Sequence, residues 1–347
     1  MSLLDRLQKN STIKLTSILE DSKIFNNKDM IPTSIPMLNV ALSGSLDGGL
    51  GPGLTLFCGK SKHFKSLFTL ILAKAYMDKY PDAVFLFYDS EFGTPIAYFK
   101  ALGFDMSRII HSPLTDIEVL KFDLMQQLET IERGDHLFIA VDSIGNLASK
   151  KEVDDALKGN SAADMTRAKQ LKSLFRMVTP HLTIKDIPMV CVNHIYMTQE
   201  MFAKAVVSGG DGIYLSSDNI YIIGRQQEKD GGTDVEGYHF IINVEKSRHV
   251  IEKSKIPITV MHNSGLNKYS GLIDVAEDGG FITKPKKGWY CKVDQETGEL
   301  EEKNYKPKDM NNAAFWDPIL KSKKFLDYIE TTYKVSSDML IKEEVLD

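Results

Sequence analysis

Four uninterrupted apolar runs constrain the fold of this chain more than any other feature of its sequence. They are LTLFC at residues 54–58, VFLFY at 84–88, LFIAV at 137–141 and PMVCV at 188–192, with amphipathic stretches between them. A strand with one solvated face alternates apolar and polar residues, whereas a strand covered on both faces does not. The runs therefore predict the α/β class, with a mostly parallel sheet flanked by helices.

The stretches between the runs predict helices. A capping-box pattern of Thr115 and Glu118 predicts a helix that ends near residues 133–134, with an apolar stripe of Ile117, Leu120, Leu124, Leu128 and Ile131. A second helix is predicted after Ser161, with Leu171, Leu174, Phe175 and Val178 on its apolar side. Lys169, Lys172 and Arg176 recur at helical spacing on another side, so its solvent face is expected to be basic.

The pattern changes beyond Ser217, where strand-like runs follow one another without long helices. NIYIIG (219–224), YHFIINVE (238–245) and IPITVM (256–261) are expected to extend the sheet in the antiparallel sense. Residues 1–30 are interpreted as an N-terminal helix and linker, residues 31–275 as the core, and residues 276–347 as a small C-terminal domain.

Composition narrows the class of protein. With 347 residues, 43% of them hydrophobic, and no signal-like or membrane-spanning stretch, we expect a soluble cytoplasmic protein without membrane contact. The net charge of −5 means that a nucleic-acid site must be a local basic patch. The three widely separated cysteines predict neither disulfides nor a zinc site.

The stretch GKSKHFKS, residues 59–66, follows the first apolar run and precedes an apolar helix. It matches the phosphate-loop pattern G-x-x-x-x-G-K-S/T except that Phe64 replaces the second glycine. Such a loop holds phosphate through backbone N–H groups and the N-terminus of the helix. The predicted nucleotide contacts are Gly59, Lys60, Ser61, Lys62, His63, Phe64, Lys65 and Ser66. Phe64 fits if it begins the helix in right-handed geometry with its ring turned away.

Two residues of the loop and two carboxylates beyond it make up a predicted hydrolytic site. Lys65 is expected to reach the β and γ phosphates, and the Ser66 hydroxyl to bind Mg²⁺. Asp142 ends a predicted buried strand, where a carboxylate holds the metal through water. Glu91 follows another strand at the edge where open α/β sheets bind ligands, and there it can polarise the attacking water.

The order GKSKHFKS, DSE, VDS, VNH and NVEKSR resembles the RecA-type recombinases. The longer phrases FLFYDSEFG, SIGNLASKKE and DMTRAK are similar to the UvsX-like branch of that family, from T-even bacteriophages. The resemblance covers nearly the whole chain. It implies a RecA-type P-loop ATPase core over residues 31–275, with ATP and Mg²⁺ as cofactors and two DNA-binding loops.

The resemblance also assigns roles to single residues of the nucleotide site. Glu91 matches the catalytic carboxylate, and Tyr98 matches an aromatic residue that stacks on adenine. His194, after Asn193, matches the polar sensor of the γ-phosphate. Lys246 and Arg248 match a basic pair that is inserted into a neighbouring subunit's ATP site.

DNA contacts follow from the same resemblance. Lys150 to Ser161 matches the first DNA loop, and Arg167, Lys169 and Arg176 are candidate phosphate contacts on the helix that follows. Tyr196, Phe202 and Lys204 lie in a segment that matches the second DNA loop, where aromatic residues and a cation suit sequence-independent binding of single strands.

The resemblance implies a strand-exchange recombinase that forms a helical filament on single-stranded DNA and pairs it with homologous duplex. The N-terminal helix would dock on the adjacent subunit, and phage mediator and single-strand-binding proteins are expected partners. Two alternatives stay open at this point. A hexameric helicase or motor on the same core would form closed rings, and a non-hydrolysing nucleotide-binding scaffold would have little use for Glu91.

Overall fold

A computed structural model describes residues 1–24, 29–159, 166–200, 203–229, 235–261 and 265–336 of the chain. The strands are β1 Gly53–Cys58, β2 Val84–Asp89, β3 Ile109–Pro113, β4 Leu137–Asp142, β5 Pro188–Asn193, β6 Ile195–Met197, β7 Ala205–Val207, β8 Asn219–Lys229, β9 Val235–Lys246, β10 Lys255–Met261, β11 Gly265–Leu266, β12 Ile282–Lys286 and β13 Trp289–Lys292. The helices are α1 Leu3–Asn10, α2 Pro36–Ser43, α3 Lys65–Lys79, α4 Ile96–Ala101, α5 Ile117–Thr130, α6 Lys150–Leu157, α7 Thr166–Lys185, α8 Asp211–Ser216, α9 Leu272–Asp278, α10 Ala313–Leu320 and α11 Lys323–Tyr333.

Within the described residues, nine strands form one sheet in the order β11-β10-β9-β8-β1-β5-β4-β2-β3. The four apolar runs are the parallel strands β1, β2, β4 and β5, as predicted. The expectation that all three later strands are antiparallel is wrong for the first of them. Strand β8 pairs with β1 in parallel, because the chain returns from β5 through the hairpin β6-β7 and α8, and only then do β9 and β10 turn back.

The sheet is covered on both faces, which explains why its strands are apolar throughout. Along β1, Leu54, Leu56 and Cys58 face the core that includes α5 and α7, while Phe57 faces the core that includes α3. Side chains alternate between the two faces of a strand, so each face of β1 must supply its own apolar residues. The predicted helix-flanked parallel sheet is confirmed.

The predicted helix caps differ from those observed. Helix α5 is capped by Asp116, whose carboxylate accepts from the Val119 N–H, and the Glu118 carboxylate instead accepts from the Lys150 N–H. Thr115 and Glu118 therefore do not form a capping box, and α5 ends at Thr130 rather than near Gly134. A carboxylate caps as well as a hydroxyl does, and the pattern alone could not choose between neighbours.

Helix α7 begins at Thr166, after residues 160–165, which lie outside the described part of the chain. Its predicted apolar side is buried, and Lys169, Lys172 and Arg176 are exposed as predicted. The segment assigned to the first DNA loop contains a helix, α6, rather than irregular chain. No helix among the described residues is long and apolar enough to cross a membrane.

The C-terminal region consists of α9, the hairpin β12-β13 and the helices α10 and α11. Trp316, Phe325 and Phe281 are buried in the same apolar cluster that contains Phe57 and α3. At the other end of the chain, α1 has a capping box at Ser2 and no buried residue. Its leucines Leu3, Leu4 and Leu7 are all exposed.

Candidate nucleotide site at the carboxyl edge of the sheet

The phosphate loop connects β1 to α3, at the edge where the parallel strands end. The Gly59 N–H donates to the carbonyl of Asn193 at the end of β5, and α3 begins at Lys65. Phe64 precedes the helix with φ 57° and ψ 18°, so the expectation that it begins the helix in right-handed geometry is wrong. The loop keeps the left-handed turn that a glycine usually supplies. The ring of Phe64 packs against that of Phe240, with 4.9 Å between ring centroids.

Strand β8 holds the loop from the side. His63 donates from Nδ1 to the Ile223 carbonyl at 2.6 Å, which fixes its tautomer, and burial lowers the pKa of this imidazole. The Arg225 guanidinium donates to the Lys62 carbonyl at 3.3 Å. Two side chains thus tie the loop to its neighbouring strand.

Lys65 and Asp142 lie buried at the centre of the site. The Lys65 ammonium donates to the Lys60 carbonyl at 2.8 Å, inside its own loop. Burial lowers the pKa of Lys65, and the carboxylates of Glu91 and Asp142 oppose that shift. Burial raises the pKa of Asp142 to about 6, although a hydrogen bond from Ser66 acts in the opposite direction.

The oxygens of Asp142 fit a metal cation. Asp142 Oδ1 is buried with no hydrogen-bond partner, and Oδ2 accepts from the Thr94 hydroxyl at 3.4 Å. Burial of a carboxylate oxygen without a hydrogen-bond donor costs free energy, and a hard cation or a water bound to it would provide the missing partner. No cluster of three His, Cys, Asp or Glu side chains suited to a metal occurs in the described residues. The single buried carboxylate of Asp142 beside Ser66 suits Mg²⁺, which keeps several waters and shares phosphate oxygens.

Glu91 stands on a tightly held turn after β2. Asp89, itself buried, accepts the N–H groups of Glu91 and Phe92 through Oδ1. The Glu91 carboxylate accepts from the Ser143 hydroxyl at 2.5 Å and from His194 Nε2 at 2.9 Å. The hydrogen bond from His194 lowers the pKa of Glu91, so its carboxylate is ionised at neutral pH.

His194 connects Glu91 to a small hairpin. The residue follows β5 directly, and its Nε2 also lies 3.2 Å from Asn146 Oδ1. Both neighbours are acceptors, so Nε2 carries the proton in this arrangement. Asn193 donates to the Ser208 carbonyl, which ties the end of β5 to the hairpin β6-β7.

Tyr98 lies on α4, with its side chain half exposed, beside a cavity of about 640 Å³. Phe64, Tyr238 and Lys268 also line this cavity, which adjoins the phosphate loop through Phe64. The structure thus brings Tyr98 to the mouth of a mostly apolar space next to the loop.

The candidate DNA contacts occupy two neighbouring segments. Tyr196 and Lys204 are exposed at the hairpin β6-β7, while Phe202 lies outside the described residues. Lys169 and Arg176 face solvent on α7. Arg167 differs, because its guanidinium donates to the carbonyls of Ile144, Gly145 and Leu147 and so braces the segment after Asp142.

Lys246 and Arg248 lie far from the phosphate loop of their own chain. The Lys246 ammonium donates to the Tyr214 carbonyl, and Arg248 pairs with Asp218, whose carboxylate also accepts the Leu54 N–H at the start of β1. The phosphate loop leaves the opposite end of β1. Six residues of strand span roughly 20 Å, so the pair and the loop are at opposite edges of the sheet.

Several residues of the site were not predicted from the sequence. Ser143 and Asn146 contact Glu91 and His194, Asp89 shapes the turn of Glu91, and Thr94 approaches Asp142. Ser143 is the last residue of the motif VDS and Asp89 the first residue of the motif DSE, and this is the signal that could have found them.

Comparison with known proteins places this chain in a family. The recombination and repair protein of Enterobacteria phage T4 is 50% identical over 350 aligned residues, which cover 99% of this chain and 89% of that protein. The chain belongs to this recombinase family. A family model for the C-terminal domain of the bacteriophage T4 recombination and repair protein matches residues 269–329.

More distant relatives of the phage recombinase family are bacterial. The RecA protein of Streptomyces avermitilis is 24% identical over 278 residues, or 79% of this chain and 71% of that protein. The RecA protein of Tropheryma whipplei is 24% identical over 279 residues, covering 79% of this chain and 61% of its own length. Together with the mostly parallel sheet, these relatives confirm the RecA-type core.

Proposed function

We propose that this member of the phage recombinase family is a DNA-dependent ATPase that catalyses strand exchange between single-stranded DNA and homologous duplex. One observation carries the proposal. The Glu91 carboxylate, held by Ser143 and His194, faces the same site as Lys65 and Asp142, and His194 also stands at the base of the hairpin that presents Tyr196 and Lys204.

The residues of the site match the demands of ATP hydrolysis. Glu91 is ionised at neutral pH and accepts the proton of the attacking water while the bond between the γ-phosphorus and the bridging oxygen breaks. Lys65 leaves its contact with the Lys60 carbonyl and neutralises the β and γ phosphates. Mg²⁺, when bound by Ser66 and by Asp142 through water, would supply positive charge that stabilises the leaving diphosphate.

The hairpin β6-β7 supplies the coupling to DNA. His194 contacts Glu91 and directly precedes β6. A DNA strand bound at Tyr196, Phe202 or Lys204 can therefore shift His194, and the Glu91 carboxylate is then free to bind water. The γ-phosphate is a competing partner for the same imidazole. Lys169 and Arg176 on α7 extend the basic surface, whereas the DNA contact suggested for Arg167 competes with its three carbonyl partners.

The basic pair acts between subunits. Because Lys246 and Arg248 lie at the opposite edge of the sheet from their own phosphate loop, they serve the ATP site of a neighbour, where they neutralise charge in the transition state. A contact between two different surfaces of identical subunits gives a helical filament when its repetition does not close into a ring.

The N-terminal helix supplies a second contact of the filament. Leu3, Leu4 and Leu7 of α1 are exposed apolar residues with no partner among the described residues of their own chain. Other apolar side chains are exposed on α5, at Val119 and Phe122, and on the edge strand β3, at Ile110. We propose that these three residues form an apolar patch at the edge of the sheet that receives α1 of the next subunit.

The division of the chain follows from these roles. Residues 1–30 carry the subunit contact, residues 31–275 the ATPase core and DNA loops, and residues 276–347 a small C-terminal domain. The partners are single-stranded DNA, homologous duplex, further copies of the chain, and the mediator and single-strand-binding proteins of the phage. The site of action is the cytoplasm of the infected bacterium.

A strand-exchange assay combined with ATP turnover tests the proposal. The protein should hydrolyse ATP at least tenfold faster with single-stranded DNA than without it, and should transfer a labelled strand into homologous duplex. Lys65→Ala, which removes the phosphate cation, should lose about a hundredfold or more in turnover and all strand exchange while keeping its melting temperature within a few degrees. Normal turnover in that variant would refute the assignment of the loop.

A further inference from the structure

Phe64 occupies a backbone position that is unfavourable for its residue type. Its φ of 57° lies in the left-handed region, which glycine adopts freely and a side chain with a Cβ adopts at a cost. Strain of this kind persists where surrounding contacts hold it, and it is frequent at ligand sites. Lys62 of the same loop also has a positive φ, of 61°, but its side chain is exposed, whereas the ring of Phe64 is partly buried.

The ring has two kinds of neighbour. One is structural, since it packs on Phe240 of β9 with 4.9 Å between centroids at an interplanar angle of 51°. The other is open space, because Phe64 lines the cavity of about 640 Å³ together with Tyr98 and Tyr238. The side chain is only half-buried, so packing on Phe240 leaves part of the ring facing the cavity.

The position of the ring is fixed by β8 and β9. His63 and the Lys62 carbonyl bind Ile223 and Arg225 of β8, and the Arg225 guanidinium lies 4.5 Å from the centroid of the Tyr238 ring. Strands β8 and β9 thus fix both the backbone of the loop and the side chains of Phe64 and Tyr238, which line the cavity. Phe64 lines this cavity and directly precedes Lys65 and Ser66 in the loop.

We propose that Phe64 is a nucleotide-positioning residue whose ring forms the wall between the phosphate loop and the base cavity and contacts the nucleoside of a bound nucleoside triphosphate. The inference rests on the proposed function, because it takes residues 59–66 to hold the phosphates. A glycine at position 64 would make the same turn but would leave this wall open. The ring thus adds affinity for the nucleoside and none for the phosphates.

The test compares a ligand that has a nucleoside with one that has none. Binding of Mg·ATP and of Mg·tripolyphosphate is measured by calorimetry for the wild type and Phe64→Gly, which restores the usual loop glycine. The dissociation constant of ATP should rise about fivefold to tenfold, as for loss of an aromatic contact, while that of tripolyphosphate changes less than twofold.

A matched control and a milder variant accompany the test. Lys253→Gly replaces another non-glycine residue of positive φ, in the turn between β9 and β10 and away from the cavity. It should change the dissociation constant of neither ATP nor tripolyphosphate. Phe64→Leu keeps an apolar side chain and should weaken ATP about threefold, which keeps the proposal testable if the glycine variant does not fold.

The possible outcomes separate the two proposals. Equal weakening of both ligands, or no weakening of either, in both Phe64 variants would show that the ring has only a structural role and would overturn the inference. A wild-type protein that binds neither ligand would instead overturn the proposed function.

Discussion

At the scale of single residues, Asp142 shows how a buried carboxylate can be costly until a ligand arrives. Its pKa is raised from 3.8 to about 6 by burial, and Oδ1 has no hydrogen-bond partner. A carboxyl whose pKa is higher in the folded state stabilises the fold below its unfolded pKa, and that contribution is lost as the pH rises through the folded value. Above pH 6, the folded protein therefore carries a desolvated charge.

We predict that Asp142→Asn stabilises the protein in the absence of nucleotide and Mg²⁺ while abolishing turnover. The free energy of unfolding should rise by about 1–3 kcal/mol at pH 7.5, and the gain should shrink towards zero near pH 4, where the native carboxyl is protonated. Urea denaturation of both proteins at the two pH values measures this difference in the free energy of unfolding. Asp78→Asn, on the exposed side of α3, is the control and should show no such gain. A variant that is less stable than the wild type at pH 7.5 would contradict the account.

At the scale of helices and strands, the sequence was informative where one physical signal dominated. The four apolar runs became parallel strands because burial on both faces leaves few other choices for such residues. The edge strand β3 was missed, since IIHSP is short, partly exposed and carries a proline. The direction of β8 depends on the crossover from β5 through β6-β7 and α8, which no local pattern encodes.

The candidate site was predictable to a similar degree. Motif spacing found Lys65, Glu91 and Asp142, because strand ends of a parallel sheet meet at one edge. It did not find the left-handed Phe64, since the strain is held by Phe240, about 180 residues away in sequence. Nor did it find Ser143 and Asn146, because hydrogen bonds between loops depend on the assembled edge.

A prediction at this scale concerns the contact between α1 and the patch at the sheet edge. Leu7→Ser on α1 and Phe122→Ser on α5 should each impair filament assembly, because each places a hydroxyl in an apolar contact. Sedimentation with ATP and single-stranded DNA should show mostly small species for both variants, with ATP binding by the subunit retained. Leu300→Ser, an exposed apolar residue elsewhere, is the control and should assemble normally. If both interface variants assemble like the wild type, α1 docks elsewhere.

At the scale of the whole molecule, the central feature is the separation between the phosphate loop and the basic pair of Lys246 and Arg248. Lys65, Glu91 and Asp142 lie at the carboxyl edge of the sheet, whereas Lys246 and Arg248 lie near the start of β1. In the proposed role of the pair, a subunit completes its site only by contact with a neighbour. Turnover per subunit is then expected to rise with protein concentration and with DNA, which aligns the subunits.

Complementation between two inactive variants tests this claim most directly. Glu91→Gln removes the carboxylate but keeps the basic pair, and the double variant Lys246→Ala/Arg248→Ala keeps the carboxylate. Each protein alone should hydrolyse ATP at a small fraction of the wild-type rate in the presence of single-stranded DNA. Mixed in equal amounts, they should regain up to about a quarter of the wild-type rate, at interfaces where an intact Glu91 faces an intact pair. If the mixture stays inactive although electron microscopy shows mixed filaments, the pair does not act between subunits and the account fails.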